Sequence, residues 1–211
     1  MEQIIQLGVL ESTERHERAD AAANRRLILD VAQQLFDARG VAVVNMADIA
    51  QAAGVGKGTL YRRFNSKAEI CLALMDSQLQ AFQNEMLAEM QRMTAAGAPR
   101  LEQLAFFLDR LVYFTNTHAP LLCEAQRADL LSADGENLQA PHFWQHMTVS
   151  GLLQTAVAAG ELPEGLDVVY LADALLAPLK ADLFRFQREA RGFTPARISA
   201  GLRTLLRGLQ K

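Results

Sequence analysis

A cluster of cationic and hydroxyl-bearing side chains near residue 60 has the chemistry of a nucleic-acid-binding surface. Lys57, Arg62 and Arg63 carry positive charges that can pair with phosphates. Thr59 and Tyr61 can donate hydrogen bonds to phosphates or to base edges. A short helix over residues 57–64 that presents these groups outward would fit the major groove of DNA. The alternative is an ordinary helical hairpin with a solvated basic face.

The preceding residues have the properties that a helix-turn-helix requires. Ala50 and Ala53 are small enough to let two helices cross closely, and Gly54 can adopt the positive φ of a tight turn. The apolar residues that can fix the second helix against its domain are Val55, Leu60 and Phe64. Because the turn, the packing face and the basic outer face agree, the segment predicts a DNA-binding helix-turn-helix.

Local signals also predict where the neighbouring helices begin and end. Gly40 can end a first helix in the left-handed conformation. Asn45 can cap the next helix, with Asp48 completing a capping box. Ser66 and Glu69 repeat the box at the start of a long helix that extends to about residue 93. Three short helices are therefore expected before a longer helical segment.

The charge distribution supports a polyanionic partner for this segment. Residues 24–67 contain seven basic and three acidic residues, a net charge of +4, whereas residues 68–211 have a net charge of −4 and residues 1–23 of −3. A basic block beside an acidic body suggests that one segment meets a polyanion. A chance fluctuation of charge is the alternative.

The stretch from Arg25 to Asp76 resembles the DNA-binding domain of TetR/AcrR transcriptional regulators. The residues that carry the resemblance run Ile28-Leu-Asp-Val-Ala, Leu35-Phe36, Gly40, Asp48-Ile-Ala, Ala53-Gly-Val, Gly58-Thr-Leu-Tyr61 and Phe64-Asn-Ser-Lys67. The resemblance implies an all-α fold, in which an N-terminal three-helix helix-turn-helix domain is followed by a six-helix domain for ligand binding and dimerisation. We assign 1–23 to an N-terminal extension, 24–67 to the DNA-binding domain and 68–211 to the second domain.

The resemblance also implies roles for individual residues on the DNA-binding side. Tyr61 and Lys67 match positions that hold phosphates, and Lys57, Gly58 and Thr59 match positions that approach bases. Two positions depart from the usual Ser or Thr of the family. Asn45 keeps its capping ability, whereas Gly56 loses a hydroxyl cap. The predicted DNA-binding residues are Asn45, Lys57, Gly58, Thr59, Tyr61, Arg62, Arg63 and Lys67.

The remaining chain is predicted to be helical, with its middle helices apolar on two faces. Helices are expected over 99–117, 120–131, 141–160 and 167–188, the last kinked at Pro178, and a final one is capped by Thr194. A helix that is apolar on two faces is buried on both or lines a cavity. The candidate apolar lining is Phe82, Met86, Phe107, Tyr113, Phe114, Phe143, Trp144 and Met147; core packing is the alternative for each. The candidate polar anchors are Arg110, Glu124 and Arg127, of which the last two can also form a solvated i,i+3 ion pair.

Two apolar stripes near the C-terminus are candidates for a dimer interface. The resemblance implies that the last two helices pair with a second subunit, which would involve Leu171, Leu175, Leu179, Ile198, Leu202 and Leu205. Periodicity alone leaves the monomer core equally open.

Other chemistries receive less support from the sequence. His142 and His146 lie four residues apart and could bind a metal only with a third ligand such as His118 or Glu124, so no metal or cofactor is predicted. Cys71 and Cys123 form no CxxC pair, which fits a cytoplasmic protein without structural disulfides, and no membrane span or signal peptide is expected.

The sequence thus predicts a DNA-binding transcriptional regulator, a repressor that a small apolar or aromatic effector releases from a palindromic operator, and not an enzyme. The alternatives are a helical DNA-binding protein without a ligand and a helical enzyme that uses the C-terminal cavity. Substrate turnover or a strongly perturbed acid–base pair in the cavity would favour the enzyme.

Overall fold

Helices form the whole framework of the part of the chain that the computed structural model describes. It describes the backbone of residues 2–127 and 141–210, and side chains from 20 to 127 and from 143 to 210. The predicted loop at 132–140, the predicted helix end at Leu131 and the side chain of His142 lie outside it. The helices are α1 (Glu2–Arg39), α2 (Met46–Ala52), α3 (Lys57–Tyr61), α4 (Lys67–Ala95), α5 (Arg100–Arg127), α6 (Pro141–Ala158), α7 (Val168–Leu176), α8 (Ala181–Glu189) and α9 (Pro195–Gly208). The predicted all-α class is confirmed.

Contacts divide the chain into two compact units, Met1–Leu74 and Met75–Lys211. In the first unit, α1 packs against α2, and α2 packs against α3. Its side chains that are fully withdrawn from solvent include Ile28, Ala32, Ile49 and Leu60, all at 0% exposure. These residues come from three helices, so one apolar centre stabilises α2 and α3, which are too short to persist alone.

The helix ends of the first unit follow the predicted local chemistry. Gly40 ends α1 at φ 83°. The side chain of Asn45 accepts hydrogen bonds from the N–H groups of Ala47 and Asp48, and the Asp48 carboxylate accepts from the Asn45 N–H at 3.0 Å, so this capping box is confirmed. The second box forms only in part. Ser66 Oγ accepts from the Glu69 N–H at 3.2 Å.

The Glu69 carboxylate departs from the predicted box. It accepts hydrogen bonds of 2.8 Å from both the backbone N–H and the side-chain amide of Asn65, one residue before the expected partner. A longer Glu side chain can reach this amide because Asn65 lies in the turn ahead of α4. The cap of α4 therefore uses Asn65 as well as Ser66.

In the second unit, α5 is the central helix and contacts α6, α8 and α9. Its buried face includes Leu104, Phe107, Leu108 and Leu111. The prediction that Pro120 starts a separate helix is wrong, because α5 continues through Pro120 to Arg127. A proline removes one backbone donor, and the many packed side chains of α5 outweigh that loss.

The C-terminal helices differ from prediction at another proline. Residues 167–188 do not form one kinked helix: α7 ends at Leu176, a 3₁₀ turn covers Ala177–Leu179, and α8 begins at Ala181. The predicted caps are confirmed, since Asp167 accepts from the Tyr170 N–H at 3.0 Å and Thr194 from the Arg197 N–H at 3.1 Å. Within the described residues, no helix combines the length and apolar character needed to cross a membrane.

Candidate functional site

The exposed residues of α3 and of the turn that follows it form a basic surface. Leu60 is 0% exposed and anchors the helix, while Tyr61 is 50% exposed. Lys57, Arg62 and Arg63 are also exposed. The helix ends at Tyr61, so the two arginines lie just beyond it, where the Phe64 N–H still bonds to the Leu60 carbonyl oxygen at 3.0 Å. The predicted basic residues are thus brought together around one short helix and its last turn.

The turn before α3 has the geometry that its glycines allow. Gly54 adopts φ 65°, which favours glycine. Gly56 is the N-cap of α3 in extended conformation and provides no side-chain hydrogen bond, in line with the loss of a hydroxyl cap expected there. A Cβ added at Gly58 would meet nothing within 4 Å. Neither packing nor backbone conformation requires glycine at position 58, which leaves the outer side of the first turn open to a close approach.

Three cations of the first unit, one of them the predicted DNA contact Lys67, have partners within that unit. Lys67 Nζ donates a hydrogen bond of 2.8 Å to the Val41 carbonyl oxygen, in the turn after α1. The guanidinium of Arg25, on α1, lies over the ring of Phe64 at 4.5 Å from its centroid. Arg39 pairs with Asp48 at 3.6 Å. Sequence reasoning missed these contacts, because each joins residues far apart along the chain.

The second unit contains an open cleft of about 340 Å³ between α4 and α5. Of the predicted ligand-binding residues, it is lined by Phe82, Arg110, Tyr113 and Phe114. The lining residues that sequence reasoning missed for this role are Gln78, Ala81, Glu85, Thr117 and His118. Except for Ala81, these residues lie three or four positions from Phe82 or Phe114, and this spacing was the available signal, since such residues share a helix face.

Aromatic side chains form the apolar part of the cleft and the core behind it. The rings of Phe82 and Phe114 stack at 4.5 Å between centroids and 28° between planes. Trp144 meets Phe82 edge-on at 6.1 Å and Phe107 at 5.5 Å. His118 lies 4.5 Å from Phe114, and burial lowers its pKa below the ordinary value. These contacts hold the wall of the cleft rigidly against the core.

Arg110 and Glu85 form the charged part of the cleft. A guanidinium Nη2 of Arg110 donates to a carboxylate oxygen of Glu85. Arg110 Nε is buried and has no hydrogen-bond acceptor among the described residues. The ion pair joins one positive and one negative group across the two helices, so the cleft has a polar end beside its aromatic rings.

The remaining predicted ligand-binding residues are not brought to the cleft. Phe107 and Met86, at 0% and 1% exposure, belong to the core of the second unit and have no surface left for a ligand. Trp144 packs against that core. Phe143 and Met147 are exposed to solvent and do not line the cleft.

The predicted anchors Glu124 and Arg127 are also corrected. They form an i,i+3 ion pair at 3.1 Å near the end of α5 and lie outside the cleft lining. This is the pairing that their spacing allows, with Arg127 exposed and Glu124 largely withdrawn from solvent.

The predicted dimer interface is corrected at four positions. Leu175, Leu179, Ile198 and Leu202 are between 3% and 7% exposed and belong to the core of a single chain. A side chain that is already withdrawn from solvent cannot supply the apolar area that dimerisation buries. Leu205, by contrast, is 56% exposed. Leu205 lies on α9, and the large apolar side chains that are exposed on α8 are Leu183 and Phe186.

His146, which was considered as a metal ligand, and Cys123 both have contacts within the protein. His146 Nε2 lies 3.3 Å from the Val169 carbonyl oxygen and 3.5 Å from Asp173 Oδ1, which ties α6 to α7. Cys123 lies 3.5 Å from the Ala181 carbonyl oxygen, and burial raises the pKa of its thiol. Within the described side chains, no three His, Cys, Asp or Glu residues are grouped as metal ligands.

Comparisons with known proteins agree with this arrangement. Residues 28–74 match the model of bacterial regulatory proteins of the tetR family. A helix-turn-helix-type transcriptional regulator from Staphylococcus aureus strain MRSA252 is 28% identical over 177 residues, which cover 84% of this chain and 89% of the relative. The counterpart from the bovine strain RF122 / ET3-1 is also 28% identical, covering 82% of this chain and 87% of its own.

Solved structures with the same fold cover most of the chain. FadR from Thermus thermophilus, a TetR family transcriptional repressor in complex with lauroyl-CoA, is 22% identical with a TM-score of 0.62, covering 86% of this chain and 92% of its own. A transcriptional regulator from Saccharomonospora viridis in complex with choline is 21% identical with a TM-score of 0.65, covering 88% of this chain and 96% of its own. At these identities the likeness concerns the fold, and it spans both units.

Proposed function

We propose that this chain is a DNA-binding transcriptional regulator of the TetR family, because residues 28–74 match that family's model and helix-turn-helix-type regulators match most of the chain. It acts as a repressor that binds a palindromic operator as a homodimer, and a small apolar or aromatic effector releases it. The observation that carries the proposal is the exposed basic face around α3. We assign its DNA contacts to Lys57, Thr59 and Tyr61 with Arg62 and Arg63.

The backbone contacts and the base contacts are expected to come from different parts of this face. Arg62 and Arg63 follow the helix and suit phosphates, which supply affinity without reading sequence. Lys57, Gly58 and Thr59 form the first turn of α3, which points into the groove in this type of domain. The open space beside Gly58 supports a close approach of base edges there.

A homodimer follows from the small footprint of a single recognition helix. α3 has five residues and can read only a few base pairs. Two copies about 34–36 Å apart read two half-sites on one face of the duplex. Leu205 and the exposed apolar residues of α8, Leu183 and Phe186, are the surface that we assign to the partner chain.

The cleft between α4 and α5 supports a small-molecule effector. Its volume of about 340 Å³ is at the lower end of the range of roughly 300–1,000 Å³ that ligand pockets span. Related folds bind lauroyl-CoA in FadR and choline in the S. viridis regulator, so ligands of very different chemistry occur in this architecture. We place this regulator in the cytoplasm with its DNA, and assign it no catalytic activity.

Selection of duplexes from a randomised library tests the proposal. The selected sequences should be two-fold symmetric, and wild-type affinity should fall steeply with salt. Replacement of Arg62 or Arg63 by alanine should weaken binding and flatten the salt slope by about one unit each, whereas replacement of Lys57 should change the sequence preference. Arg92→Ala is the matched control, because Arg92 is an exposed arginine of α4 in the second unit, paired with Glu89. If folded Tyr61→Ala and Arg63→Ala proteins bind the selected duplex as wild type does, the DNA assignment is wrong.

A further inference from the structure

The shape and lining of the cleft between α4 and α5 restrict the size of a ligand. The stacked rings of Phe82 and Phe114 lie at one side, His118 extends the same wall next to Phe114, and Tyr113 also lines the cleft. A volume of about 340 Å³ holds a ligand of one or two rings rather than a long chain with a nucleotide headgroup. Ring faces favour offset stacking or edge contacts with a second planar ring.

Arg110 provides a cation whose hydrogen bonds to the described residues are incomplete. One Nη2–H donates to Glu85, while Nε is buried without an acceptor among the described residues. Buried donors are normally paired, so an unpaired donor raises the free energy of the folded protein. A guanidinium offers Nε–H and Nη–H side by side, which matches the two oxygens of one carboxylate.

The ion pair of Glu85 with Arg110 is weak. The Glu85 side chain is 55% exposed, so water can replace the guanidinium when the pair opens. Exposed ion pairs contribute little to stability, and a ligand has little to overcome in displacing Glu85. Because burial lowers the pKa of His118, its ring is neutral near neutral pH, and Arg110 is the one positive charge among the residues that line the cleft.

We propose that this cleft takes a small planar aromatic carboxylate, whose ring lies against Phe114 and whose carboxylate takes the place of Glu85 on the Nη2 of Arg110 and also accepts from its Nε. The proposal rests on the proposed function, because it names the chemical class of the effector. A quaternary ammonium ligand would instead use Glu85 and the aromatic faces. Arg110 opposes it, since its positive charge lies in the same cleft.

Calorimetric titration of the full chain with three ligands of similar size tests the proposal: 2-naphthoate, its neutral amide 2-naphthamide, and benzyltrimethylammonium. Wild type should bind 2-naphthoate most tightly. Arg110→Met should weaken 2-naphthoate by about tenfold or more and change 2-naphthamide by less than about threefold. Glu85→Gln should strengthen 2-naphthoate severalfold, because it removes the competing carboxylate. Arg127→Met is the control, an arginine of the same helix outside the cleft, and should bind as wild type.

Three results would overturn the inference. They are the absence of 2-naphthoate binding at about 10 mM, equal affinity of wild type and Arg110→Met for it, and tighter binding of the ammonium compound. Circular dichroism of each variant verifies folding, and Glu85→Gln gives an independent result of opposite sign should Arg110→Met unfold. Operator binding is measured on the same preparations. Intact operator binding with no carboxylate affinity rejects the ligand class alone, whereas a folded protein that selects no duplex rejects the proposed function.

Discussion

The Nζ of Lys67 donates a hydrogen bond of 2.8 Å to the backbone carbonyl oxygen of Val41, 26 residues earlier in the chain. The bond ties the first residue of α4 to the turn that follows α1. Lys67, which the family resemblance implies to be a phosphate contact, therefore uses one of its donors for a hydrogen bond within its own domain. An ammonium group has three donors, so this bond and a phosphate contact are compatible.

Replacement of Lys67 separates its two roles. We expect Lys67→Met to lower the free energy of unfolding by about 1 kcal/mol, because a hydrogen bond from a charged group to a half-buried carbonyl is lost. Urea unfolding measures this change. Titration of duplex DNA at several salt concentrations measures the other role, which a salt slope reduced by about one unit would reveal. Unchanged stability together with a reduced slope would leave Lys67 as a phosphate contact only.

Gly58 offers a test in which DNA binding and stability change in opposite directions. Gly58→Ala places a Cβ in open space on a helix, so we expect the domain to gain up to about 1 kcal/mol of stability. The same methyl group stands where base edges are proposed to approach, and operator affinity should fall by about tenfold or more. Gly151→Ala, a substitution in α6 that also meets nothing within 4 Å, should leave operator affinity unchanged. Wild-type affinity in Gly58→Ala would exclude a close approach at this position.

The local features of the DNA-binding unit could be predicted from sequence because their causes are local. The Asn45–Asp48 capping box, the positive φ of Gly54 and the burial of Leu60 each depend on a few neighbouring residues. Pro120 shows the limit of that reasoning. A proline breaks an isolated helix, but α5 is packed along its length by three other helices and continues through it.

Features that depend on distant residues were missed or misassigned. A stripe such as Leu175 and Leu179 shows that one helix face is apolar, but not whether the same chain or a second chain covers it. The ion pair of Arg110 and Glu85 joins two residues that are 25 positions apart on different helices, and no sequence pattern predicts this pair. Spacing could place Phe82 and Phe114 on helix faces, whereas their stacking at 4.5 Å required the folded chain.

The corrected burial of the C-terminal helices changes how dimerisation should be tested. Leu205→Asp alters a side chain that is 56% exposed, and we expect it to dissociate the proposed dimer while stability changes by less than about 0.5 kcal/mol. Leu87→Asp, at 60% exposure on α4, is the matched control and should stay dimeric. Leu202→Asp places a charge in the core and should unfold the second unit. Sedimentation velocity distinguishes these outcomes, and a Leu205→Asp dimer would move the interface elsewhere.

The lowered pKa of His118 predicts how stability depends on pH. Its folded pKa lies below the unfolded value of about 6.5, so the unfolded chain binds the proton more readily. The second unit should therefore lose stability as the pH falls through this value towards the folded pKa. His118→Gln should flatten the pH dependence of the unfolding midpoint in that window. An equally steep profile in the variant would assign the dependence to other groups.

Helix α4 gives the proposed effector a route to the DNA-binding unit. Its first turns contain the buried residues Ile70 and Cys71 of the first unit, and its middle turns line the cleft at Gln78, Phe82 and Glu85. One continuous helix thus belongs to both units. A ligand that displaces Glu85 from Arg110 changes the contacts of α4 directly, and we expect a shift of this helix to change the spacing of the two α3 helices in the proposed dimer.

Thermodynamic linkage turns this route into a measurable prediction. If an effector in the cleft weakens operator binding by some factor, saturating operator must weaken effector binding by the same factor, because both report one coupling free energy. Couplings of about 1–3 kcal/mol correspond to factors of roughly 5–150, which calorimetric titration of the effector with and without the selected duplex can resolve. Arg110→Met should reduce effector affinity in both titrations, since it removes the anchor from either state. Equal effector affinities with and without operator, for a compound whose binding depends on Arg110, would show that the cleft binds a ligand without regulating DNA binding.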